Sequence, residues 1–374
     1  MKVCIVSKHY PPYVGGLESR VRDVAGWMSS RGVEVLVLTS DDSGEGSQIE
    51  DGVTVRRSRT LFTTFNAPFT PGVILDLLRE EYDVIDVNMP DPLNSIYCLI
   101  TSVLRGKSLV VTYHADILKD RWYHMPFKIC YSIFLNQILA RAKAIFATSP
   151  NYAESSRILS KFIGKVVVAP SFVDTRRFNP GVDGSRVRER LGLKRKAILF
   201  VGRFVSYKGI EYLIEAFRAM RVKHKLDLVL VGAGPLEGEL KKMVSESKVE
   251  GVHFAGEVPV DELPEYYAAC DVLVLPSVTR QEAFGLVLVE AMACGKPVVS
   301  TDFSGMPYVV DGAGVLAKPR DPADLASAIY RVLSDEDKYA LLSMKARERV
   351  EELFTPDVVC GRILETYVKA LEGA

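Results

Sequence analysis

Short apolar runs alternate with amphipathic helical patterns along most of the chain. In the first half, runs typical of buried strands fall at residues 3–7, 33–39, 84–87, 109–112, 144–147 and 166–169. In the second half they fall at residues 198–201, 226–231, 252–255, 271–275 and 298–300. Strands that alternate with helices are typical of parallel βαβ units, so the pattern predicts an α/β protein with two doubly wound, Rossmann-like sheets.

The alternation is interrupted by a stretch rich in proline, glycine and arginine, from Pro170 to about Asp183. We interpret this stretch as a linker, which predicts an N-terminal domain over residues 1–172 and a C-terminal domain over residues 173–355. A chain of 374 residues is long enough for two cores of this size.

The charge balance argues against a nucleic-acid partner. The chain has 47 basic and 47 acidic residues, so its formal net charge is zero. Its short basic runs do not amount to the basic stripe that a nucleic-acid surface requires. The composition therefore indicates a globular protein whose ligand is not a nucleic acid.

The cysteines and the hydropathy of the chain predict a cytoplasmic protein. The six cysteines are far apart and lie mostly in apolar runs, which favours buried free thiols over disulfides or a metal site. The apolar run at the amino terminus is too short for a signal peptide, and no run approaches the roughly 20 apolar residues of a spanning helix.

Two carboxylates stand eight positions apart, Glu282 and Glu290, across a turn that contains Gly285. The turn follows a strand pattern and precedes a helix pattern, and ligands of open α/β sheets bind at such junctions. A carboxylate can accept two hydroxyl protons at once, so the pair suits a polyhydroxylated ligand.

Two cations stand at another strand-to-helix turn. Arg203 follows the strand that ends at Gly202, and Lys208 precedes Gly209 and the next helix pattern. Arginine donates in a fork to phosphate oxygens and lysine adds a compact charge, so together they suit a diphosphate.

At this point the chain resembles the retaining GT4-type glycosyltransferases (glycosyl transferase group 1), which share the two-domain GT-B fold. The resemblance runs to about residue 355 and rests on the order and spacing of several short segments. Besides Gly202-Arg203, Lys208-Gly209 and the Glu282/Glu290 pair, they are Pro11-Pro-Tyr-Val-Gly-Gly16, Thr112-Tyr-His-Ala-Asp116, Ala147-Thr-Ser149, Ser171-Phe-Val-Asp-Thr-Arg-Arg-Phe178 and Val231-Gly-Ala-Gly-Pro235.

The resemblance implies roles for these residues toward a nucleotide-diphosphate sugar, UDP- or GDP-linked. Arg203 and Lys208 would hold the diphosphate, Glu290 the ribose, and Glu282 the transferred sugar. The backbone of Phe284, Gly285 and Leu286 would meet the distal phosphate. The resemblance also implies that the last helix, residues 356–374, packs back on the first domain.

The first domain is expected to hold the acceptor and to complete the active site. Gly15 and Gly16 precede a helix pattern, where their backbone can approach a phosphate. His114 ends a strand and is expected to contact the sugar, as the family pattern implies. Asp116 and His9 are further candidates for the acceptor, a glycan, a lipid-linked molecule or a small molecule.

Two segments depart from the family pattern. Many relatives have Asn-Gly where this chain has Ser171-Phe172, near the expected hinge. Many have Gly-Gly and a glutamate where this chain has Ser304-Gly-Met-Pro-Tyr308, beside the donor pocket of relatives. The second departure bears on the identity of the sugar or the base.

Residues 121–141 allow two interpretations. Their aromatic residues and flanking cations are those of an interfacial helix, which would place the protein peripherally at the inner membrane face. Phe127, Tyr131, Phe134 and Ile138 also fall on one helical stripe, which is the ordinary pattern of a helix packed on a sheet. The second interpretation is favoured.

The expected chemistry is metal-independent transfer of a hexose with retention of configuration, as the resemblance implies. The histidines lack a paired ligand spacing, so neither a metal nor another cofactor is expected. Two alternatives stay open: a non-catalytic nucleotide-sugar or glycan-binding protein, and a sugar-nucleotide epimerase of the same fold. A nicotinamide oxidoreductase is disfavoured because Pro235 interrupts the dinucleotide-like loop at residues 232–238.

Overall fold

The structure is a computed structural model. It describes residues 1–13, 15–42, 46–64, 67–116, 125–222 and 224–372, with only the backbone of residues 64 and 125–130. The chain divides into two compact units, one of Met1–Pro170 with Pro356–Ala374 and one of Ser171–Thr355. The division after Pro170 lies two residues before the predicted boundary at residue 172.

The first unit is built on a mostly parallel sheet. Its strands are β1 (Lys2–Ser7), β2 (Glu34–Asp41), β3 (Gly46–Glu50), β4 (Val53–Arg59), β5 (Phe62–Thr64), β6 (Ala67–Phe69), β7 (Val84–Met89), β8 (Ser108–Tyr113), β9 (Ala144–Ala147) and β10 (Val166–Val168). Among the described residues the main sheet has the order β10-β9-β8-β7-β1-β2-β4-β3, in which β3 is antiparallel to β4. Strands β5 and β6 form a separate antiparallel pair.

The second unit is built on a parallel sheet. Its strands are β11 (Lys196–Val201), β12 (Leu226–Val231), β13 (Val252–Gly256), β14 (Val272–Leu275), β15 (Val298–Thr301) and β16 (Gly314–Ala317). They lie in the order β13-β12-β11-β14-β15-β16. Numbered within the unit, this is the strand order 3-2-1-4-5-6 of a doubly wound nucleotide-binding fold, which reverses between β11 and β14.

Helices connect most of these strands. They are α1 (Gly16–Ser30), α2 (Pro71–Arg79), α3 (Pro92–Leu104), α4 (Met125–Arg141), α5 (Pro150–Ser155), α6 (Ser185–Leu191), α7 (Ile210–Arg221), α8 (Glu237–Glu246), α9 (Leu263–Ala269), α10 (Leu286–Ala293), α11 (Met306–Val310), α12 (Pro322–Leu333), α13 (Glu336–Leu353) and α14 (Pro356–Glu372). Each predicted strand is present. The strands β3 to β6 and β16 were not predicted. No described helix has the length and apolar character needed to cross a membrane.

Helix α14 belongs to the first unit and is held there by buried polar contacts. The Tyr367 hydroxyl donates to Asp86 of β7 at 2.5 Å, and the Ser108 hydroxyl donates to the Ala370 carbonyl at 2.9 Å. Near the start of the helix, the Trp27 indole N–H of α1 donates to Asp357 at 2.7 Å. These contacts hold the C-terminal helix against the first unit, whose sheet is formed by the N-terminal part of the chain.

The contact between Asp86 and α14 predicts a pH-dependent stability. Burial raises the pKa of Asp86 from 3.8 to about 6, and hydrogen bonds from Tyr367 and Thr112 oppose this shift only in part. Between these pH values the folded chain holds a proton that the unfolded chain has lost, so the carboxyl stabilises less as the pH rises from about 4 to about 6. The free energy of unfolding, measured in denaturant, should fall over this window by on the order of 3 kcal/mol more than in Asp86→Asn. Parallel pH profiles would contradict this reading.

Candidate functional site

The predicted carboxylates and cations of the second unit follow two neighbouring strands. Strands β11 and β14 pair in parallel, with Ile198 opposite Val272. The loop after β11 contains Arg203 and Lys208, and the loop after β14 contains Glu282. Both loops therefore leave the carboxyl edge of the sheet at the point where its strand order reverses, which is where ligands of open α/β sheets bind.

Two backbone contacts join these loops. The Val278 N–H donates to the Tyr207 carbonyl at 2.8 Å. Gly209 caps helix α7 with φ of 65°, and a Cβ atom there would lie 2.3 Å from the Pro276 carbonyl oxygen. Only glycine permits this approach, so the sequence Lys208-Gly209 fixes the distance between the cationic loop and the acidic loop.

Because the backbones approach so closely at Gly209, adding one methyl group there should have a large effect on stability. Gly209→Ala should lower the free energy of unfolding by at least about 3 kcal/mol and weaken ligand binding at the joined loops, because backbone atoms must move apart. Gly192→Ala is the matched control, since Gly192 also has φ of 65° but has open space around its Cβ position. The control should cost only about 1–2 kcal/mol in unfolding free energy. Equal losses in denaturant unfolding would refute the packing argument.

Lys208 and Glu282 form an ion pair across the loops. The Lys208 ammonium donates to Glu282 Oε2, which also accepts a 3.2 Å hydrogen bond from the Ser277 hydroxyl. Only 11% of the lysine side chain and 12% of the glutamate side chain are exposed. Burial alone would lower the pKa of Lys208, but the Glu282 carboxylate more than offsets it and the pKa is raised. Lys208 is therefore charged throughout the neutral range.

Arg203 has a different environment. Its side chain is exposed, and among the described residues no carboxylate lies within ion-pair distance of its guanidinium. The backbone beside it is fixed, because the Phe204 N–H donates to the Ala233 carbonyl at 2.8 Å. A fixed loop thus presents a guanidinium whose donors face solvent, at the same sheet edge as Lys208.

Helix α10 begins at the end of the acidic loop. Gly285 caps it with φ of 77°, and its Cβ position lies 2.8 Å from the Leu275 side chain and 3.1 Å from Met306 Sδ. The N-cap residue, a glycine, supplies no side-chain hydrogen bond to this terminus. The first N–H groups of a helix have no carbonyl partner within it, so the N–H groups that start at Leu286 favour an anion.

Glu290 lies one turn into α10 and is half-buried. Its Oε2 atom accepts a 2.5 Å hydrogen bond from the Tyr267 hydroxyl of α9. Burial raises the pKa of Glu290, and Tyr267 and Arg177 oppose the shift without cancelling it. Tyr267 was not identified from the sequence, because nothing in its local pattern distinguishes it from a core tyrosine.

An aromatic cluster flanks the acidic loop. The ring of Phe284 meets the ring of Phe354 at 5.7 Å, and Phe354 meets Tyr308 at 6.0 Å. The Arg349 guanidinium lies 5.6 Å from the Tyr308 ring centroid and donates to the Tyr308 carbonyl. Tyr308, in the segment that departs from the family pattern, thus packs against the neighbour of Phe284.

His114 lies at the carboxyl edge of the first unit's sheet. Its backbone N–H donates to the Met89 carbonyl at 3.0 Å, and its Nε2 atom lies 2.9 Å from Asn88 Oδ1. Burial, together with the charge of Arg20, lowers the pKa of His114 to about 3. The imidazole is therefore neutral at physiological pH, and Asn88, which was not identified from the sequence, orients it.

The other candidates of the first unit have distinct surroundings. Asp116 Oδ1 accepts hydrogen bonds of 2.9 Å from both Tyr113 and Ser156. His9 stacks on Tyr13 with ring centroids 4.4 Å apart, and its buried Nδ1 atom has no partner among the described residues. Burial lowers the pKa of His9, with the charge of Lys8 as the next cause.

Gly15 and Gly16 form the start of helix α1. Gly15 is its N-cap in an extended conformation, and around Gly16 a Cβ atom would meet nothing within 4 Å. The carboxylate of Glu18 folds back over this terminus, with Oε2 2.2 Å from the Cβ position of Gly15. Glu18 was not identified from the sequence, although an acidic residue in the first turn is a usual sign of such an interaction.

The described residues contain no group of three or more His, Cys, Asp or Glu side chains placed to hold a metal ion. Of the predicted free thiols, Cys4, Cys98, Cys270, Cys294 and Cys360 are buried and free. The Cys130 side chain lies outside the described part.

Solved structures share this fold. The chain aligns over 99% of its length with 100% of Anabaena Alr3699/HepE in complex with UDP, with a TM-score of 0.79 and 23% identity. A sucrose-phosphate synthase from Thermosynechococcus elongatus aligns over 100% of both chains with a TM-score of 0.78. The fold is therefore that of the GT-B glycosyltransferases.

The sequence comparisons identify the family. The family model for Glycosyl transferases group 1 matches residues 183–349, and that for Glycosyltransferase Family 4 matches residues 14–177. A D-inositol 3-phosphate glycosyltransferase of Corynebacterium jeikeium is 37% identical over 90% of this chain and 89% of its own. The chain belongs to the group 1 glycosyltransferases, and the protein is an enzyme that transfers sugars.

Proposed function

We propose that the protein transfers a hexose from a UDP- or GDP-linked donor to a hydroxyl acceptor, with retention of configuration and without a metal ion. One observation supports the proposal: the loop with Arg203 and Lys208 and the loop that leads into α10 both follow strands at the switch point of the second sheet, and the Lys208–Glu282 ion pair joins them. This combination pairs a positive site for a diphosphate with an acceptor of hydroxyl hydrogen bonds.

In the proposed complex the diphosphate binds to the positive groups. Arg203 donates in a fork to its oxygens, and Lys208, held between the loops by Glu282, adds a charge that needs no reorganisation. The start of α10 stabilises the distal phosphate on which negative charge develops as the sugar leaves. Glu290 accepts from the ribose hydroxyls, with Tyr267 holding its side chain.

Glu282 is proposed to position the sugar and to stabilise the positive charge that develops at the anomeric carbon. Its carboxylate already accepts from Lys208 and Ser277, and donors of this kind reduce its nucleophilicity. We therefore propose that the acceptor hydroxyl attacks on the face that the diphosphate leaves. The acceptor proton passes to an oxygen of the leaving phosphate, and no glycosyl-enzyme bond forms.

His114, Gly15 and Gly16 keep the roles that the family resemblance gives them. A neutral imidazole with Nε2 engaged by Asn88 is suited to a hydrogen bond with a sugar hydroxyl rather than to an ion pair. The start of α1 is a second helix terminus of the kind that binds phosphate, and the Glu18 carboxylate that lies over it would have to move aside. Asp116 and His9 are proposed as acceptor contacts.

The choice of hexose is guided by one full-length relative. An O-antigen chain mannosyltransferase C of Escherichia coli is 29% identical over 100% of both chains. We propose GDP-mannose as the first donor to test and a growing glycan as the first acceptor, with UDP-linked hexoses as the next donors.

The test of this proposal is the configuration of the product. Proton NMR of a reaction with GDP-mannose, run with EDTA present, should show a product with the anomeric configuration of the donor. Intact-protein mass spectrometry should show no glycosyl adduct on Glu282. An inverted product or a trapped adduct would overturn the mechanism, and loss of activity in EDTA would overturn metal independence.

Glu290→Gln tests the assignment of Glu290 to the ribose of the donor with a side chain of matched size. The amide keeps the size of the side chain but accepts fewer hydroxyl protons, so KM for the donor should rise by about tenfold or more. A KM for the donor unchanged from wild type would show that Glu290 does not bind the ribose. Donor binding with neither transfer nor hydrolysis would instead contradict the proposed donor.

A further inference from the structure

Helix α3 of the first unit has its polar and apolar faces reversed. Its buried side includes the small polar residues Asn94, Ser95, Thr101 and Ser102, each fully buried. Its outer side is apolar along a helical stripe that includes Leu93, Ile96, Tyr97, Ile100, Val103 and Leu104. Val103 is 61% exposed and Leu104 is 69% exposed. A surface helix of a globular protein normally has the opposite arrangement.

The polar residues on the buried side have structural roles. The Asn94 amide donates to Asp91 at 2.7 Å, and the Ser102 hydroxyl donates to the Leu99 carbonyl at 3.1 Å. These short side chains let α3 lie close to the sheet and to its neighbours. Because the buried side of α3 already packs on the sheet and the neighbouring helices, the apolar outer stripe is not needed to build the core.

The apolar surface extends to the helices on either side of α3. Helices α2 and α4 both contact α3. Leu75 and Leu78 of α2 are exposed, and so are Ile133 and Phe134 of α4, with Ile133 56% exposed. We call the outer faces of α2, α3 and the described side chains of α4 the three-helix face. Contiguous exposed apolar surfaces of this kind mark interaction sites.

The charges of the three-helix face are positive. Arg79 and Arg141 are exposed at the ends of α2 and α4, and the Arg141 guanidinium lies against Ser102. The described side chains of the face include no unpaired carboxylate, since Asp76 of α2 is turned to Arg56 at 3.0 Å. Beyond the end of α2, Glu81 is paired with Arg105.

We propose that the three-helix face docks on an anionic lipid surface. Aliphatic and aromatic side chains beside cations match the boundary between acyl chains and anionic headgroups. A second copy of this chain would bring the same cations together without a counter-charge, whereas phospholipid headgroups supply one. The sequence-based expectation of membrane contact concerned residues 121–141. Of these, residues 121–124 lie outside the described part, Tyr131 and Ile138 are buried, and Ile133 and Phe134 belong to the three-helix face.

Vesicle co-sedimentation tests the docking. The wild-type protein should sediment with vesicles of equal parts phosphatidylcholine and phosphatidylglycerol, and much less with phosphatidylcholine alone. The double variant Val103→Gln/Leu104→Gln should lower the partition coefficient by about tenfold or more, because the apolar stripe is interrupted. Arg79→Gln should weaken binding to the anionic vesicles and reduce its dependence on salt.

The control pair is Leu341→Gln/Met344→Gln on α13, where both residues are exposed on a helix of the second unit. It should bind vesicles like the wild type. Thermal unfolding and stabilisation by a nucleoside diphosphate, measured without vesicles, should be unchanged in both double variants, which separates docking from the sugar-transfer site. No sedimentation of the wild type, or equal losses in the control, would overturn the proposal. A wild-type dimer in light scattering that Val103→Gln/Leu104→Gln dissociates would assign the face to a second copy.

Discussion

Lys208→Ala should reduce turnover by about 10³-fold or more and lower the free energy of unfolding by about 3–5 kcal/mol. Two separate losses produce this result. The variant removes a fixed positive charge from the proposed diphosphate site, and it leaves the largely buried Glu282 carboxylate without its ionic partner. Steady-state kinetics and denaturant unfolding measure the two losses independently.

A double variant separates the two roles of Lys208. In Lys208→Ala/Glu282→Gln the uncompensated charge is gone, so most of the lost stability should return while the affinity for a nucleoside diphosphate, which does not involve the sugar contact of Glu282, stays low. Lys241→Ala is the control, because the ion pair of Lys241 with Glu237 is solvent-exposed and such pairs contribute little. If the double variant bound a nucleoside diphosphate as tightly as the wild type, Lys208 would stabilise the fold and would not bind the phosphate.

Arg203→Ala should reduce turnover by about 10²–10³-fold without changing the melting temperature. Its guanidinium is exposed and has no carboxylate within ion-pair distance among the described residues, so its removal leaves no buried group unsatisfied. Arg203→Lys should recover only part of the loss, because an ammonium cannot donate in a fork. Differential scanning fluorimetry and initial rates at saturating donor provide the two readouts.

The contrast between Arg203 and Lys208 is the informative part of these predictions. Both are assigned to the same diphosphate, yet only Lys208 is part of the packed structure. Equal loss of stability in both variants, or undiminished turnover in Arg203→Ala, would contradict the assignment of the two cations.

The strands that the sequence predicted include those with continuous apolar runs, such as β9 and β14. A parallel strand covered on both faces needs apolar side chains at every position, and this makes it visible in the sequence. Strand β4 was missed because Arg56 and Arg57 interrupt it, and their ion pairs with Asp76 and Glu50 become apparent only in three dimensions. Strand β3 was missed because it is short, polar and largely exposed.

The sequence placed the charged residues of the second unit in the loops after β11 and β14, since a strand-to-helix turn has a known position in this fold. It did not predict that Lys208 pairs with Glu282, because the two residues are 74 positions apart. It assigned Asp116 to an acceptor without the hydrogen bonds that Tyr113 and Ser156 donate to it. Local pattern identifies a residue's element, whereas its partners depend on how loops from different strands meet.

The three-helix face shows the same distinction. Helix α3 contains no charged residue, and from sequence such a segment is indistinguishable from a buried helix. Its orientation, with Ser95 and Ser102 inward and Val103 and Leu104 outward, is set by contacts with α4 and the sheet. The exposed stripe could therefore be recognised only in the structure.

Isothermal titration of the wild type and Arg203→Ala with UDP and GDP, each compared with its sugar-linked form, tests the central claim most directly. We expect one nucleoside diphosphate to bind the wild type, its sugar-linked form to be hydrolysed slowly, and Arg203→Ala to lose at least about tenfold in affinity. Equal affinity in the two proteins would contradict a diphosphate site at the switch point of the second sheet, and so would the absence of binding by either nucleotide.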